Sequence, residues 1–553
     1  MIGFSKDGLC SRAAVWICLI GMLWMAVGGR GAHAQDGSGG VVWEQPEQSA
    51  AALADLQQMH AMGIEAVRTG WVDDDSLLAL ADSLGIQFYQ DAPVAYLPAE
   101  GVRRELPLLR EPLRQRLRQA EQHPSARHFG LGQMLDTSDP AACSAIEQLA
   151  DYIRTEGPSG VEVYYVTPFI EADRCASAVD FVLLDALDSA PVPRIDRWRA
   201  HHPDVPAGIG RLGAWVDSTA ASGPSVAYSA EAQARFLETH IPAARQALRG
   251  ALLFVYRWQD QGADPYGRAY GVHEEDGTAR PAAEVVQGIY TGRQTVFAFA
   301  AGDGPQRSIP WLIVIGWGAV LLLGWVYAQE PRFRHMTARY FRAHAFYQEA
   351  IRGGRDLLVG STLVLLAAEV ISVGVLGVVV GRQFRFDDGV VHALEAVPLG
   401  LREALATLIG TPWSLGLLVG AGYAVLLILW MLLLVFGSRW ARRPLSADQG
   451  IVLVVWPRWP LLVLLGGALV ASTLAPVSAQ RLLAALVALF IGLGPLVVAR
   501  TLIDYRKIVR VPGAVIALAV VLAPAAMALY IGAIEVWRND VPLRFIWHLL
   551  TQT

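Results

Sequence analysis

The sequence has only four cysteines in 553 residues, and two of them, Cys10 and Cys18, fall in its first 34 residues. That sparseness excludes a disulfide-dense secreted scaffold. Charged residues make up 17% and the formal net charge is −5, which gives no case for nucleic-acid binding. No nucleotide-binding motif, metal-ligating cluster or histidine-kinase-like segment is visible, so no cofactor and no metal is expected. What the sequence has in abundance is apolar residues, at 54%, and they are unevenly spread. Residues from about 35 to 305 read as an ordinary soluble domain. Residues from about 309 to 535 are mostly long apolar runs separated by short charged loops.

The N-terminus reads as a secretory signal over residues 1–34. Lys6 and Arg12 supply the positive flank, Ala13 to Val27 the apolar core, and Ala32-His33-Ala34 a small-x-small cleavage site. The mature chain would then start near Gln35; the alternative is an uncleaved anchor helix. Cys10 and Cys18 would leave with the signal. Cys143 and Cys175 would remain in an oxidising compartment, either bridged or as two buried thiols.

Six runs are long enough to span a bilayer of about 30 Å: 309–328, 357–380, 413–436, 451–473, 481–499 and 513–534. The loops after the first, third and fifth are rich in arginine, with Arg332, Arg334, Arg339, Arg342, Arg352 and Arg355 after the first alone. The positive-inside rule places these loops in the cytoplasm and residues 35–305 outside. The orientation agrees with the signal peptide and predicts a multi-pass protein of a bacterial inner membrane with a periplasmic N-terminal domain. Glu369 is the one carboxylate well inside an apolar run. It is either functional or a packed, hydrogen-bonded group, and no second intramembrane charge offers an obvious relay partner. Pro457 and Pro460 flank Arg458 and Trp459, so the fourth run is kinked there or starts after Pro460.

Residues 41–291 alternate short β-rich runs with amphipathic helical stretches, which predicts parallel strands with helical crossovers. Strands are expected near 41–44, 65–68, 86–90, 127–132, 161–166, 181–184, 207–210 and 252–256. Eight strand–helix units in about 250 residues match a (β/α)8 TIM barrel, whose chemistry sits at the C-terminal ends of the strands. The expected fold is thus an α/β barrel outside the membrane (35–305), followed by an all-α polytopic domain (306–553) with about six spans.

Particular motifs sharpen this. His123-Pro124-Ser125 leading to Leu131-Gly132-Gln133-Met134 resembles the fourth barrel strand of glycoside hydrolase family 2. Asp55-Leu56 through Arg68-Thr69, Gly85-Ile86 through Asp91, Phe254 through Gly262, and Tyr270-Gly271-Val272 with Asp276 to Ala282 resemble other motifs of that family, in the same order. No room is left between Gln35 and Val41 for the β-sandwich domains that precede the barrel there. The resemblance implies a retaining mechanism needing two carboxyl groups about 5–5.5 Å apart. Its acid/base glutamate falls at Met134 and the preceding asparagine at Gln133. Its nucleophile, at the end of strand seven, falls at Arg211 within Pro206 to Ala214. A thioether exchanges no proton, and a guanidinium neither attacks an anomeric carbon nor tolerates an adjacent oxocarbenium. The family's histidine after strand two is also missing, since Gly70-Trp71 stands there.

The same resemblance gives Arg68, Gln133, Tyr256, Trp258 and Asp260 as carbohydrate-binding candidates, against the plainer reading that they pair and pack structurally. Glu44, Asp91, Glu171, Asp185 and Asp260 lie near expected strand ends, where acids also cap and solubilise. Of these, Asp91 and Glu171 are the first candidates for a relocated mechanism. The expected function is a membrane-anchored, catalytically degenerate glycosidase-like protein that binds a glycan or cell-envelope partner. The alternatives are an active hydrolase with relocated carboxylates and a membrane scaffold or transport subunit in envelope polysaccharide handling.

Overall fold

The computed structural model describes residues 39–217, 220–248, 250–261, 268–302, 310–354, 357–384, 387–440, 444–474, 476–509 and 542–552. Residues 1–34, expected to be a signal peptide, and the sixth apolar run, 513–534, lie outside these residues. The chain divides into two compact units, a barrel ending at Gly302 and a helical unit from Asp303 onward.

The barrel strands are β1 (Gly39–Val42), β2 (Ala66–Gly70), β3 (Gln87–Asp91), β4 (His128–Gln133), β5 (Glu162–Thr167), β6 (Phe181–Leu187), β7 (Ala207–Gly213) and β8 (Leu253–Val255). Each pairs in parallel with the next, and β1 also pairs with β8, closing the barrel. Helices cover the outside, so the strands are buried on both faces and read as nearly continuous apolar runs. The helices are α1 (Ser49–Ala61), α2 (Asp75–Leu84), α3 (Ala99–Glu105), α4 (Arg110–Gln122), α5 (Pro140–Glu156), α6 (Pro191–His201), α7 (Ala230–Leu248) and α8 (Pro281–Tyr290). Local chemistry sets their ends. The Asp74 side chain accepts the Ser76 N–H at the start of α2, and left-handed Gly85 ends that helix. Asp139 caps α5 in the same way through Ala141.

The expectation of eight complete strand–helix units needs one correction. The connection after β5 holds only a 3₁₀ turn, Ala176–Ala178. Asp173 organises this segment. It accepts from Tyr165 Oη at 2.8 Å, Thr137 Oγ1 at 2.6 Å and the Cys175 amide at 2.9 Å. Cys143 on α5 is bridged to Cys175, so the two thiols left open by the sequence form a disulfide.

The helical unit comprises α9 (Trp311–Gln329), α10 (Pro331–Arg342), α11 (His344–Gly353), α12 (Val359–Phe384), α13 (Asp388–Glu395), α14 (Leu399–Gly410), α15 (Pro412–Gly437), α16 (Ala447–Val455), α17 (Leu462–Ala471), α18 (Pro476–Val509) and α19 (Leu543–Gln552). Five helices among the described residues are long and apolar enough to cross a membrane: Trp311–Gln329, Val359–Gln383, Pro412–Gly437, Ala447–Ala471 and Arg481–Val509. The fourth is kinked rather than shortened: α16 and α17 are joined through a 3₁₀ segment, Trp456–Leu461, containing Pro457 and Pro460. α12 and α15 approach closely through glycines. A Cβ on Gly416 would lie 2.7 Å from the Gly374 carbonyl oxygen, the small-residue packing that membrane helices favour. Asp504 on α18 accepts from His344 and Gln348 of α11 at 2.9 and 2.8 Å.

Candidate functional site

The C-terminal ends of β2, β3, β4, β6 and β7 converge on a buried polar network. Arg68, in the middle of β2, is fully buried. Its Nη1 donates to the Gly210 carbonyl at 2.8 Å, and its Nη2 lies 2.8 Å from Asp91 Oδ2, off the hydrogen-bond line. Asp91, the last residue of β3, also accepts from Tyr164 Oη at 2.9 Å and from Gln133 Nε2 at 3.0 Å. Burial pushes the Asp91 carboxyl up, and the Arg68 charge opposes that shift. Gly130 makes this geometry possible: a Cβ there would overlap Asp91 Oδ1 and the Tyr164 ring.

Met134 and Arg211 face each other. Met134 is fully buried at the end of β4 and has a positive φ of 52°. Arg211 on β7 points its Nη2 at Met134 Sδ, 3.7 Å away. Its Nε donates to Asp185 Oδ1 of β6 at 2.8 Å, and both groups of that ion pair are under a tenth exposed. The Arg211 guanidinium also lies 5.6 Å from the Tyr256 ring centroid. Burial raises the Tyr256 hydroxyl, against the nearby Arg211 and Arg257 charges. Arg68, Asp91, Gln133, Met134, Asp185, Arg211 and Tyr256 therefore form one constellation in which each acid is set against an arginine.

Four sequence candidates are not part of it. Glu44 is exposed and pairs with Arg257 at 3.1 Å. Glu171 is exposed on the loop after β5 and joins none of these bonds. Trp258 is 2% exposed, with its ring centroid 4.2 Å from His273 and its side chain bonded to Asp55 of α1. Asp260 holds the segment after β8 to the start of α8, accepting from the Tyr270 and Gly271 amides at 3.0 and 2.8 Å and from Arg280 at 2.6 Å. Sequence reasoning missed the aromatic group beside Arg211. Trp215 stacks on Tyr228 at 4.1 Å, and Tyr270 meets the Tyr256 ring at 5.4 Å. Asp188 binds this group together, accepting from the Trp215 amide at 3.0 Å and from Tyr270 Oη at 2.5 Å. The clustering of aromatics just beyond strands seven and eight was the available signal. Among the described residues, no group of three or more His, Cys, Asp or Glu side chains could hold a metal.

No protein-family model and no curated protein matches this sequence. Solved structures are similar to its barrel half. A glycoside hydrolase family 2 β-galacturonidase from Eisenbergiella tayi, bound to galacturonate, is 17% identical with a TM-score of 0.41, over 47% of this chain and 52% of that one. A β-glucuronidase from Lactobacillus rhamnosus is 17% identical with a TM-score of 0.42, over 46% and 49%. One from Ruminococcus gnavus, in complex with D-glucaro 1,5-lactone, is 18% identical with a TM-score of 0.40, over 46% and 49%. This chain spans about half the length of those structures. The fold assignment itself stands on the closed order of eight parallel strands, and fold alone does not define an activity.

Proposed function

We propose that this chain is a membrane-anchored, catalytically degenerate glycosidase-like protein whose barrel binds a glycan on the periplasmic side of a bacterial inner membrane. One observation supports the reading: Met134 and Arg211, which the resemblance sets at the two positions that need carboxylates, touch each other. A retaining mechanism requires a proton donor and an anionic nucleophile at those places. A buried thioether and an arginine paired to Asp185 provide neither. The remaining acid of the mouth, Asp91, is buried against Arg68, Gln133 and Tyr164, which disfavours a relocated mechanism.

The recognition surface in this reading is the less buried part of the constellation and of the aromatic group beside it. Gln133, Tyr256 and Tyr228 are only half-buried and present an amide and two aromatic faces, the groups that hold sugar rings in shallow pockets. The arginine-rich loops and the signal-like N-terminus support the orientation. The test is binding of envelope oligosaccharides to the full-length protein in detergent, by calorimetry. Tyr256→Ala and Gln133→Ala are each expected to weaken binding about tenfold or more, the loss of one stacking or hydrogen-bonding contact. Unchanged affinity in both variants would move the search to an envelope protein partner.

A further inference from the structure

The helical unit buries a carboxylate that the barrel reading does not use. Glu369 lies near the midpoint of the span Val359–Gln383 and is fully buried. Neither of its carboxylate oxygens has a hydrogen-bond partner. The sequence offers no obvious relay partner for it; the helix packing supplies one. Arg458 is 5% exposed and sits in the break between α16 and α17, a segment that packs directly against α12, so that its charge acts on Glu369. The prolines on either side of Arg458 interrupt the helix there, and its guanidinium donates back to the Val454 carbonyl.

Two more polar atoms near this pair are buried without partners: Tyr423 Oη and Trp430 Nε1, both on α15. Tyr423 interacts electrostatically with Glu369 and Arg458, and the Trp430 ring lies 6.0 Å from the Arg458 guanidinium. Tyr340 of α10 also interacts electrostatically with Arg458. Tyr423 and Arg458, like Glu369, lie about midway along their own spans. Among the described residues, Arg458 is the charged group that acts on Glu369.

An ionised carboxylate with no hydrogen bond, deep in an apolar span, is costly. Adding a proton removes its charge, and moving it against an arginine neutralises it. A broken membrane helix carrying a charged group at mid-depth is also the construction that membrane proteins use for ion sites. We propose that Glu369 is a proton-binding site at the centre of the membrane, exchanging between a protonated carboxyl beside Tyr423 and a carboxylate paired with Arg458. Protonation forms one O–H bond on Glu369, with the proton drawn from water, while Arg458 keeps its own proton. The spans would then serve a proton-responsive element in addition to anchoring. The proposal depends on these helices crossing a membrane and is independent of what the barrel binds.

The test is carbodiimide labelling of the full-length protein in lipid nanodiscs, read by peptide mass spectrometry. An apolar carbodiimide partitions into the membrane and modifies protonated carboxyls. Glu369 is expected to be modified by dicyclohexylcarbodiimide and protected from a water-soluble carbodiimide. Arg458→Gln is expected to increase the modification several-fold, because the charge that favours the carboxylate is gone. Glu369→Gln removes the labelled peptide and serves as the control, while the wild-type measurement needs no variant to fold. An unlabelled wild-type Glu369, or equal labelling in Arg458→Gln, would overturn the proposal. Labelling by the water-soluble reagent would instead overturn the membrane placement on which it rests.

Discussion

Replacing Arg211 by methionine removes the guanidinium that neutralises Asp185 inside the barrel. Both groups of this pair are under a tenth exposed and meet at 2.8 Å. Breaking a buried pair by deleting one partner costs about 3–5 kcal/mol, because a charge is left in a poorly solvating site. At about 2–4 °C per kcal/mol for a domain of this size, the barrel transition should fall by about 6–20 °C. Replacing both partners, as Asp185→Leu with Arg211→Met, should recover most of the loss and leave the protein within about 1–2 kcal/mol of wild type. The assay is thermal and urea unfolding of the full-length protein in detergent, followed by tryptophan fluorescence, with all four members of the mutant cycle. An Arg211→Met variant within about 1 kcal/mol of wild type would refute the reasoning. Arg211 would then not be committed to Asp185 and would be free to meet a ligand.

Four further outcomes follow from the same structure. Met134→Glu places a carboxylate beside Arg211, 3.7 Å from the present sulfur, and should pair with it; chromogenic aryl glycosides should show no turnover, because the facing position remains an arginine. Gly130→Ala drives a methyl group into Asp91 and Tyr164 and should cost about 1–3 kcal/mol, read as a drop in urea midpoint. Opening the Cys143–Cys175 bridge, which spans a sequence separation of 32, should cost up to about 4 kcal/mol by loop-closure entropy, measured as the melting difference with and without reductant. Burial holds the Asp173 carboxyl above its ordinary value, against bonds from Thr137, Tyr165 and Cys175. Its contribution to stability is therefore fully present below the ordinary carboxylate range and declines as pH rises through the elevated value. Asp173→Asn should abolish that component of the pH dependence in unfolding titrations.

Much of the barrel was legible because most strands are short β-rich runs followed by an amphipathic helix, and the parallel pairing follows from that alternation. The break after β5 was less visible, since it is imposed by the contacts of Asp173 and by the disulfide rather than by local propensity. In the candidate site, the positions of Met134 and Arg211 could be read from their flanking residues. Their mutual contact could not, nor could the pairing of Arg211 with Asp185, which depends on the stagger of neighbouring strands. Trp258 illustrates the limit. Its place two residues after Tyr256 suggests the same pocket wall, yet both lie beyond the end of β8, where strand alternation no longer holds, and Trp258 packs against His273 and Asp55 instead. Glu369 and Arg458 lie on different spans, so only the packing of α12 against the broken α16–α17 segment reveals their proximity.

The most direct measurement runs hydrolysis and binding in parallel on the full-length protein, with a panel of aryl glycosides and envelope oligosaccharides, for wild type, Asp91→Asn and Tyr256→Ala. The account predicts oligosaccharide binding that weakens in Tyr256→Ala, with no turnover in any of the three proteins. Turnover in the wild type that disappears in Asp91→Asn would contradict it and identify Asp91 as a catalytic carboxylate.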